Sequence, residues 1–146
     1  MIQRVQSIFL LLAVVLLTMT NLVPLASFQM PSGEIQVISV TASNWGNATW
    51  VVLITTLLAA VTSLATIFLY KKRKIQIRLS YLALVLIALQ YGYFFGYTYA
   101  STSMKHISIA SLTGIFMPLV AFICIILAIR KIKADEKLIR SLDRIR

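Results

Sequence analysis

The sequence predicts an all-α membrane protein, a four-transmembrane-helix bundle with a small outer β-hairpin and a C-terminal cytoplasmic helix extension. Three observations lead to this fold class. Hydrophobic residues make up 60% of the 146 residues, more than the interior of a soluble domain of this length holds. They form runs about as long as a bilayer is thick, roughly 17–25 residues. Basic residues gather between and after these runs, so we expect one integral membrane domain over residues 1–146.

The first predicted span covers residues 8–25 and follows a short start that contains Arg4. A basic start before an apolar run is also the pattern of a secretory signal peptide. Against cleavage, the segment Pro24–Ala26 is a poor small-x-small site, and the apolar run continues through Leu25. We therefore expect an uncleaved first span, with a cleaved leader as the alternative.

The first outer loop, residues 26–48, predicts a β-hairpin ahead of the second span. Met30–Glu34 has proline and glycine at positions typical of a type I turn. Residues 35–41 are β-branched and roughly alternating, which favours a strand. We expect paired strands near 26–30 and 35–41, lying on the helix ends or on a partner because an isolated hairpin is marginal in water.

The second and third predicted spans, residues 49–70 and 79–97, flank a short basic block. Residues 71–78 hold five positive charges, which cannot lie in hydrocarbon and which resist translocation. The block therefore assigns this loop to the cytoplasmic side, and the orientation of every other span follows from it. Threonine and serine side chains of the second span are expected to hydrogen-bond their own backbone carbonyls.

The third span contains three residues with a packing or polar role. Gly92 and Gly96 are four apart and match a small-xxx-small pattern. This pattern favours packing against another helix of the chain, and self-dimerisation is the alternative. Gln90 is the most polar side chain well within a span. We expect it to make an interhelical hydrogen bond, with a substrate contact as the alternative.

The fourth predicted span covers residues 111–129, after a second outer loop near 100–110. Pro118 removes one helix hydrogen bond and is expected to kink this span. The tail, residues 130–146, contains no glycine or proline. We therefore expect the fourth helix to continue into the tail beyond the membrane.

The distribution of charge predicts that both termini lie in the cytoplasm. Of the 14 Lys and Arg residues, 13 lie at Arg4, in 71–78 or in 130–146, and Lys105 is the exception. Positive residues beside membrane spans stay on the cytoplasmic side. We expect this surface to attract anionic lipid headgroups, and no nucleic-acid motif accompanies the charge.

The basic block and the tail together form the predicted cytoplasmic contact surface. A partial apolar stripe in the tail suits a membrane or cytoplasmic protein partner, the headgroup layer, or the inner loop. The candidate residues are Lys71, Lys72, Arg73, Lys74, Arg78, Arg130, Lys131, Lys133, Glu136, Arg140, Asp143 and Arg144.

Groups that could carry catalysis are scarce. The chain has four acidic residues, one histidine and one cysteine. Asp135 and Glu136 are adjacent, about 100° apart on a helix, so they do not converge as an acid–base pair but suit salt bridges with the basic tail. We expect no enzyme activity, cofactor or metal site. The expected function is a non-catalytic subunit or accessory protein of a membrane complex. A small transporter or channel that uses Gln90 and Pro118 is the alternative.

The two ends of the chain resemble a known family. The start, Met1–Leu12, opens with Met-Ile-Gln-Arg, and the end, Ala134–Arg146, closes with Asp-Arg-Ile-Arg. Both resemble an uncharacterised membrane-protein family of Bacteroidota, domain of unknown function 4293, and the resemblance covers essentially the whole chain. It supplies no activity or catalytic residue. It implies an inner-membrane location in a Gram-negative cell.

Overall fold

The computed structural model describes residues 3–29, 35–38, 47–70, 72–101, 108–111 and 113–143. Four helices and three short strands follow one another in this part of the chain. In order they are α1 (Gln3–Thr20), β1 (Ala26–Gln29), β2 (Ile35–Ile38), α2 (Asn47–Phe68), α3 (Arg73–Ser101), β3 (Ser108–Ser111) and α4 (Thr113–Asp143).

The two longest helices extend beyond the apolar runs of the sequence. α3 has 29 residues and begins at Arg73, because lysine, arginine and glutamine are good helix formers. α4 has 31 residues and continues through the tail to Asp143. At its helical rise α4 is about 46 Å long, whereas a hydrocarbon core is about 30 Å thick. One end of α4 therefore projects beyond a bilayer that the bundle would span.

The helices pack in a ring in which α1 lies between α2 and α4. α2 also packs against α3, and a smaller contact between α3 and α4 closes the ring. A hydrogen bond joins Gln6, near the start of α1, to Asp135, near the end of α4. These two helices therefore run antiparallel.

The three strands form one antiparallel sheet in the order β2-β1-β3. The pairing of β1 with β2 sets Phe28 opposite Gln36. On the other edge of β1, Phe28 lies opposite Ile109, and the register shifts between Ser27 and Phe28. The sheet thus joins the segment after α1 to the segment that leads into α4.

The predicted fold class is wrong in two respects. The protein is not all-α with an added hairpin, because β3 joins the two expected strands and makes a three-stranded sheet. Within the described residues, three helices rather than four are long and apolar enough to cross a membrane. They cover Trp50–Phe68, Arg73–Gly96 and Gly114–Ile139. The apolar part of α1, Val5–Thr20, is shorter than these three helices.

The interior of the bundle is built from small side chains, and many large apolar ones face outward. The central apolar cluster draws on all four helices: Ala13, Leu17, Ala59, Ala60, Ala83, Ile87, Ala121, Cys124, Ile125 and Ile129. On the outside, Val61 is 59% exposed and Leu89 is 58% exposed. Soluble monomers rarely expose large continuous apolar surfaces, whereas membrane bundles pack through small residues. This arrangement is therefore typical of a membrane protein.

Candidate functional site

The start of α3 and the last turns of α4 lie side by side at one end of the bundle, which we call the basic end. α1 begins and α2 stops at the same end. Lys133 Nζ on α4 donates a hydrogen bond to the Tyr81 hydroxyl on α3 at 2.8 Å. The opposite end, which carries the sheet, is called the sheet end. The structure therefore brings together the two segments that the sequence places in one contact surface.

The predicted contact residues divide into three groups. Those with exposed basic side chains are Lys72, Lys74, Arg78, Arg130, Lys131 and Lys133. Arg73 and Glu136 are half-buried. Arg140 and Asp143 belong to α4, while Lys71 and Arg144 lie outside the described residues.

An open groove lies between α3 and α4 at the basic end. Its volume is about 330 Å³, and Ile77, Lys133, Glu136 and Lys137 line it. The Nζ of Lys133 also lies 5.2 Å from the centre of the Tyr81 ring, so a cation–π contact adds to the hydrogen bond. The groove thus combines one apolar and three charged side chains, and the position of one lysine is fixed.

Arg73 opens α3 one turn before Ile77, on the same face of the helix. Its Nη1 atom is buried and has no hydrogen-bond partner among the described residues. Buried N–H groups in folded proteins are nearly always paired with protein, water or an ion. This donor therefore calls for an acceptor that the described part of the chain does not supply.

A buried hydrogen bond joins α1 to α4 at the basic end. Gln6 Nε2 donates to Asp135 Oδ2, and each residue is 6% exposed. The sequence predicts salt bridges between Asp135 and the basic tail, but the structure places Asp135 in the interior. Its neighbour Glu136 lines the groove instead, as the angle of about 100° between adjacent helix positions requires.

Further polar side chains are buried in the parts of α2 and α3 that lie toward the basic end. Gln76 is 4% exposed, and Ser80 and Thr66 are fully buried. The Ser80 hydroxyl donates to the Gln76 carbonyl at 3.0 Å, and Thr66 donates to the carbonyl of Ser63. Gln6, Thr66, Gln76, Ser80 and Asp135 are called the inner polar layer.

Near the sheet end, Asn21 bridges α1 and α2. Its Oδ1 accepts a hydrogen bond of 2.8 Å from the Thr56 hydroxyl, and its Nδ2 donates to the Leu17 carbonyl at 3.3 Å. The Thr56 hydroxyl oxygen also lies 2.8 Å from the Val52 carbonyl oxygen of its own helix, so the two acceptors share its one hydrogen. This side-chain contact therefore ties the end of α1 to α2.

Gln90 lies in a narrow cavity between α3 and α4, also toward the sheet end. The cavity has a volume of about 10 Å³, and Gln90 is 4% exposed. The Oε1 atom of Gln90 has no hydrogen-bond partner among the described residues, so the predicted interhelical hydrogen bond is not made there. Beside it, the Tyr91 hydroxyl donates to the Ile115 carbonyl of α4. Pro118 lacks an N–H group, which leaves the carbonyl of Gly114 without its usual helix donor.

The central apolar cluster separates these polar groups from the inner polar layer. Within the cluster Leu17, Ile87 and Ile125 are fully buried. Near it, the buried hydroxyl of Ser63 donates to the Ala59 carbonyl of its own helix. In the described part of the interior, apolar packing therefore separates the two polar regions.

Gly92 and Gly96 do not pack as the sequence predicts. Both are exposed, and a Cβ atom at either position would have no heavy atom within 4 Å among the described residues outside the adjoining backbone. The small-residue face of α3 therefore points away from the other described helices, because α2 and α4 contact other faces of α3. Self-dimerisation through this face stays a prediction.

The acidic residues that the structure describes do not gather into a metal-binding site. Within the described residues there is no group of three or more His, Cys, Asp or Glu side chains placed to hold a metal ion. His106 lies outside this part of the chain. The predicted lack of enzyme activity stays a prediction.

Sequence reasoning missed two residues of this site, Gln6 and Tyr81. Gln6 has no local signal beyond being polar at the start of an apolar run. Tyr81 has one, because an aromatic residue at the edge of an apolar span is typical of the membrane interface. Its partner Lys133 is 52 positions away, a distance that local patterns do not bridge.

A comparison with known protein families matches residues 2–145 to the family described as Domain of unknown function (DUF4293). No curated protein and no solved structure matches the sequence. The family match spans nearly the whole chain and confirms the resemblance seen at its two ends. The chain therefore belongs to the DUF4293 family.

Proposed function

We propose that this protein is a non-catalytic subunit or accessory protein of a membrane complex, anchored in the bacterial inner membrane. The observation that carries the proposal is the composition of the basic end. There the start of α3 and the projecting part of α4 combine exposed cations with the exposed apolar residues Leu138 and Ile139. Such a mixed surface beyond the apolar spans suits a protein partner with an acidic, partly apolar face.

The proposed orientation places the basic end, and both chain ends, in the cytoplasm. Its support is the segregation of charge: 13 of the 14 Lys and Arg residues lie at Arg4, in 71–78 or in 130–146. α1 begins and α4 terminates at the same end of the bundle as α3 begins. The opposite orientation would require translocation of both basic segments, which the positive-inside rule disfavours.

A small transporter or channel is the second candidate. The buried polar residues Gln90 and Asp135 favour it, because polar groups inside membrane bundles often mark transport pathways. Against it, the central apolar cluster lies between the two residues. A Gln90→Ala variant in liposomes tests this function: flux that depends on Gln90 would support transport, and its absence would favour the accessory role.

The accessory role is tested by photo-crosslinking in cells from single positions. A photoreactive amino acid replaces Ile139 in one variant and Leu22, which is 71% exposed toward the sheet end, in a matched control. We expect a discrete adduct with one membrane or cytoplasmic protein from position 139 and not from position 22. Mass spectrometry identifies the partner.

A charge-reversal variant separates specific from incidental contact. Lys131→Glu, at an exposed position of α4, is expected to reduce the adduct formed from position 139, because an acidic partner face would then be repelled. Adducts that are equally abundant from positions 139 and 22, or unaffected by Lys131→Glu, would contradict the proposed contact surface.

A further inference from the structure

The groove between α3 and α4 lies where both helices change from apolar to charged sequence. On α3, Arg78 is followed by the apolar run that begins at Leu79, and on α4 the apolar run ends at Arg130. Because Lys133 is hydrogen-bonded to Tyr81, the boundary on α3 and the boundary on α4 lie at a similar level along the bundle axis. Tyrosine and lysine at such a boundary are typical of the headgroup level of a bilayer.

The hydrogen-bonding capacity of the groove suits a phosphate group. An ammonium has three N–H donors, and Lys133 gives one of them to the Tyr81 hydroxyl, which itself still carries a hydrogen. Lys137 lies one turn further along the same face of α4 and also lines the groove. These groups can together donate several hydrogen bonds to phosphate oxygens, and those bonds are strengthened by charge.

Glu136 narrows the choice of ligand. Its carboxylate lines the same groove and would repel a bare phosphate, but it can accept hydrogen bonds from hydroxyl groups. A glycerophosphate headgroup carries both features, an anionic phosphate and neutral hydroxyl donors. The volume of about 330 Å³ falls at the lower end of the range for small-ligand sites, about 300–1,000 Å³.

Arg73 supplies an independent observation. Its buried Nη1 has no partner among the described residues, and it belongs to the face of α3 that also carries Ile77 and Tyr81. Arg73 lies one turn before the groove residue Ile77, further from the apolar span, and is not itself part of the groove's lining. An acceptor group from a bound headgroup would satisfy a donor that the described part of the protein leaves unpaired.

We propose that this groove is a binding site for an anionic glycerophospholipid of the phosphatidylglycerol class. Lys133, Lys137 and the Tyr81 hydroxyl hold the phosphate, Glu136 accepts from the glycerol hydroxyls, and the acyl chains extend along the exposed apolar faces of α3 and α4. Basic pockets between membrane helices are suited to headgroups of this kind. This inference does not rest on the proposed accessory function, since it concerns a lipid and not a protein partner.

The test measures phosphatidylglycerol bound to the purified full-length protein by native mass spectrometry, with phosphatidylcholine as the neutral competitor. The site variant is Lys133→Gln/Lys137→Gln. The matched control is Arg130→Gln/Lys131→Gln, which removes the same charge from exposed positions on the same helix that do not line the groove. We expect the site variant to bind phosphatidylglycerol at least about tenfold more weakly than the control variant.

Tyr81→Phe keeps the net charge and the ring, so it tests the geometry even if the double variant fails to fold. We expect it to weaken phosphatidylglycerol binding several-fold, because the hydroxyl both positions Lys133 and donates to the phosphate. Wild-type affinity in Tyr81→Phe, or equal losses in the two double variants, would overturn the site and leave only diffuse attraction between charges.

A final experiment distinguishes a lipid phosphate from free inorganic phosphate as the ligand. Inorganic phosphate added to the lipid-loaded protein is expected to leave phosphatidylglycerol bound, because the acyl chains and the glycerol hydroxyls contribute to binding. Displacement of the lipid by inorganic phosphate at an equal concentration would assign the groove to a soluble anion and overturn the lipid proposal. Equal retention of phosphatidylcholine and phosphatidylglycerol would overturn it as well.

Discussion

At the scale of single residues, hydroxyl groups along the helices are satisfied within their own helix. The hydroxyls of Thr55, Thr62 and Ser63 donate to carbonyls three or four residues earlier at 2.7–3.0 Å, which confirms the expectation from sequence. These side chains therefore require no ligand. The Nη1 of Arg73 and the Oε1 of Gln90 have no hydrogen-bond partner among the described residues, so these two atoms are the better indicators of a bound group.

Gly114 is the glycine at which one added methyl group is expected to destabilise the fold. A Cβ atom there would lie 2.5 Å from the Pro24 carbonyl oxygen and 2.6 Å from the Leu25 Cα, and neither backbone atom can rotate away. We expect Gly114→Ala to lower the free energy of unfolding by about 1–3 kcal/mol. Thermal unfolding of the purified protein in detergent measures this change.

The control for this prediction is Gly92→Ala, the same change in α3. A Cβ atom at Gly92 would have no heavy atom within 4 Å in the described part of the chain, apart from the adjoining backbone. Alanine also favours helix by about 1 kcal/mol, so this variant is expected to be neutral or slightly stabilised. Similar losses of stability in the two variants would contradict the close contact at Gly114.

The buried hydrogen bond between Gln6 and Asp135 is expected to show strong energetic coupling. Gln6→Leu leaves a buried carboxyl group without its donor, which costs about 1–3 kcal/mol or more if the group is charged. In the double variant Gln6→Leu/Asp135→Leu both polar groups are gone, so much of that loss should be recovered. A double-mutant cycle of unfolding free energies that shows additive effects would contradict a direct bond.

The sequence identifies candidate residues better than it identifies their partners. The basic residues and Glu136 are predicted to form a surface because their charge excludes them from hydrocarbon, and that property is local. Gln6 and Asp135 are 129 positions apart, and only the antiparallel packing of α1 on α4 brings them together. Such pairs depend on which helices are neighbours, and apolar runs alone do not specify this.

At the scale of elements, the sheet also shows that local sequence does not identify distant partners. The alternating segment 35–41 and the preceding turn predict β1 and β2 through local chemistry. β3 is Ser108–Ser111, four residues of mixed polarity that carry no strand signal of their own. They become a strand because β1 offers a free edge, and α4 begins only two positions later, at Thr113.

α1 is expected to remain part of the mature protein. Although its apolar part is short and follows a basic start, Leu10, Ala13 and Leu17 are fully buried, and α1 packs against both α2 and α4. Removal of α1 would expose these contacts and deprive Asp135 of Gln6. We expect peptides from α1 to be found when protein extracted from membranes is digested and analysed by mass spectrometry. A species that begins near Ala26 would show cleavage and contradict this prediction.

At the scale of the whole molecule, polar side chains lie inside the bundle, whereas charged side chains gather at one end. The outer faces of the helices are apolar, the interior holds small and polar side chains, and the cations lie almost entirely at one end. Apolar faces match hydrocarbon, and a basic end matches an anionic leaflet. The same asymmetry therefore supports the proposed orientation, in which the basic end faces the cytoplasm.

The orientation is tested with single cysteines in a background in which the buried Cys124 is replaced by alanine. Lys74→Cys reports on the basic end at an exposed position, and Ser103→Cys reports on the segment between α3 and β3. With a membrane-impermeant thiol reagent on spheroplasts, we expect labelling at 103 and none at 74, because the basic block resists translocation. Labelling at 74 should appear only after the membrane is opened. The reverse pattern would place the basic end outside the cell, away from a cytoplasmic partner, and would contradict the proposed orientation of the whole bundle.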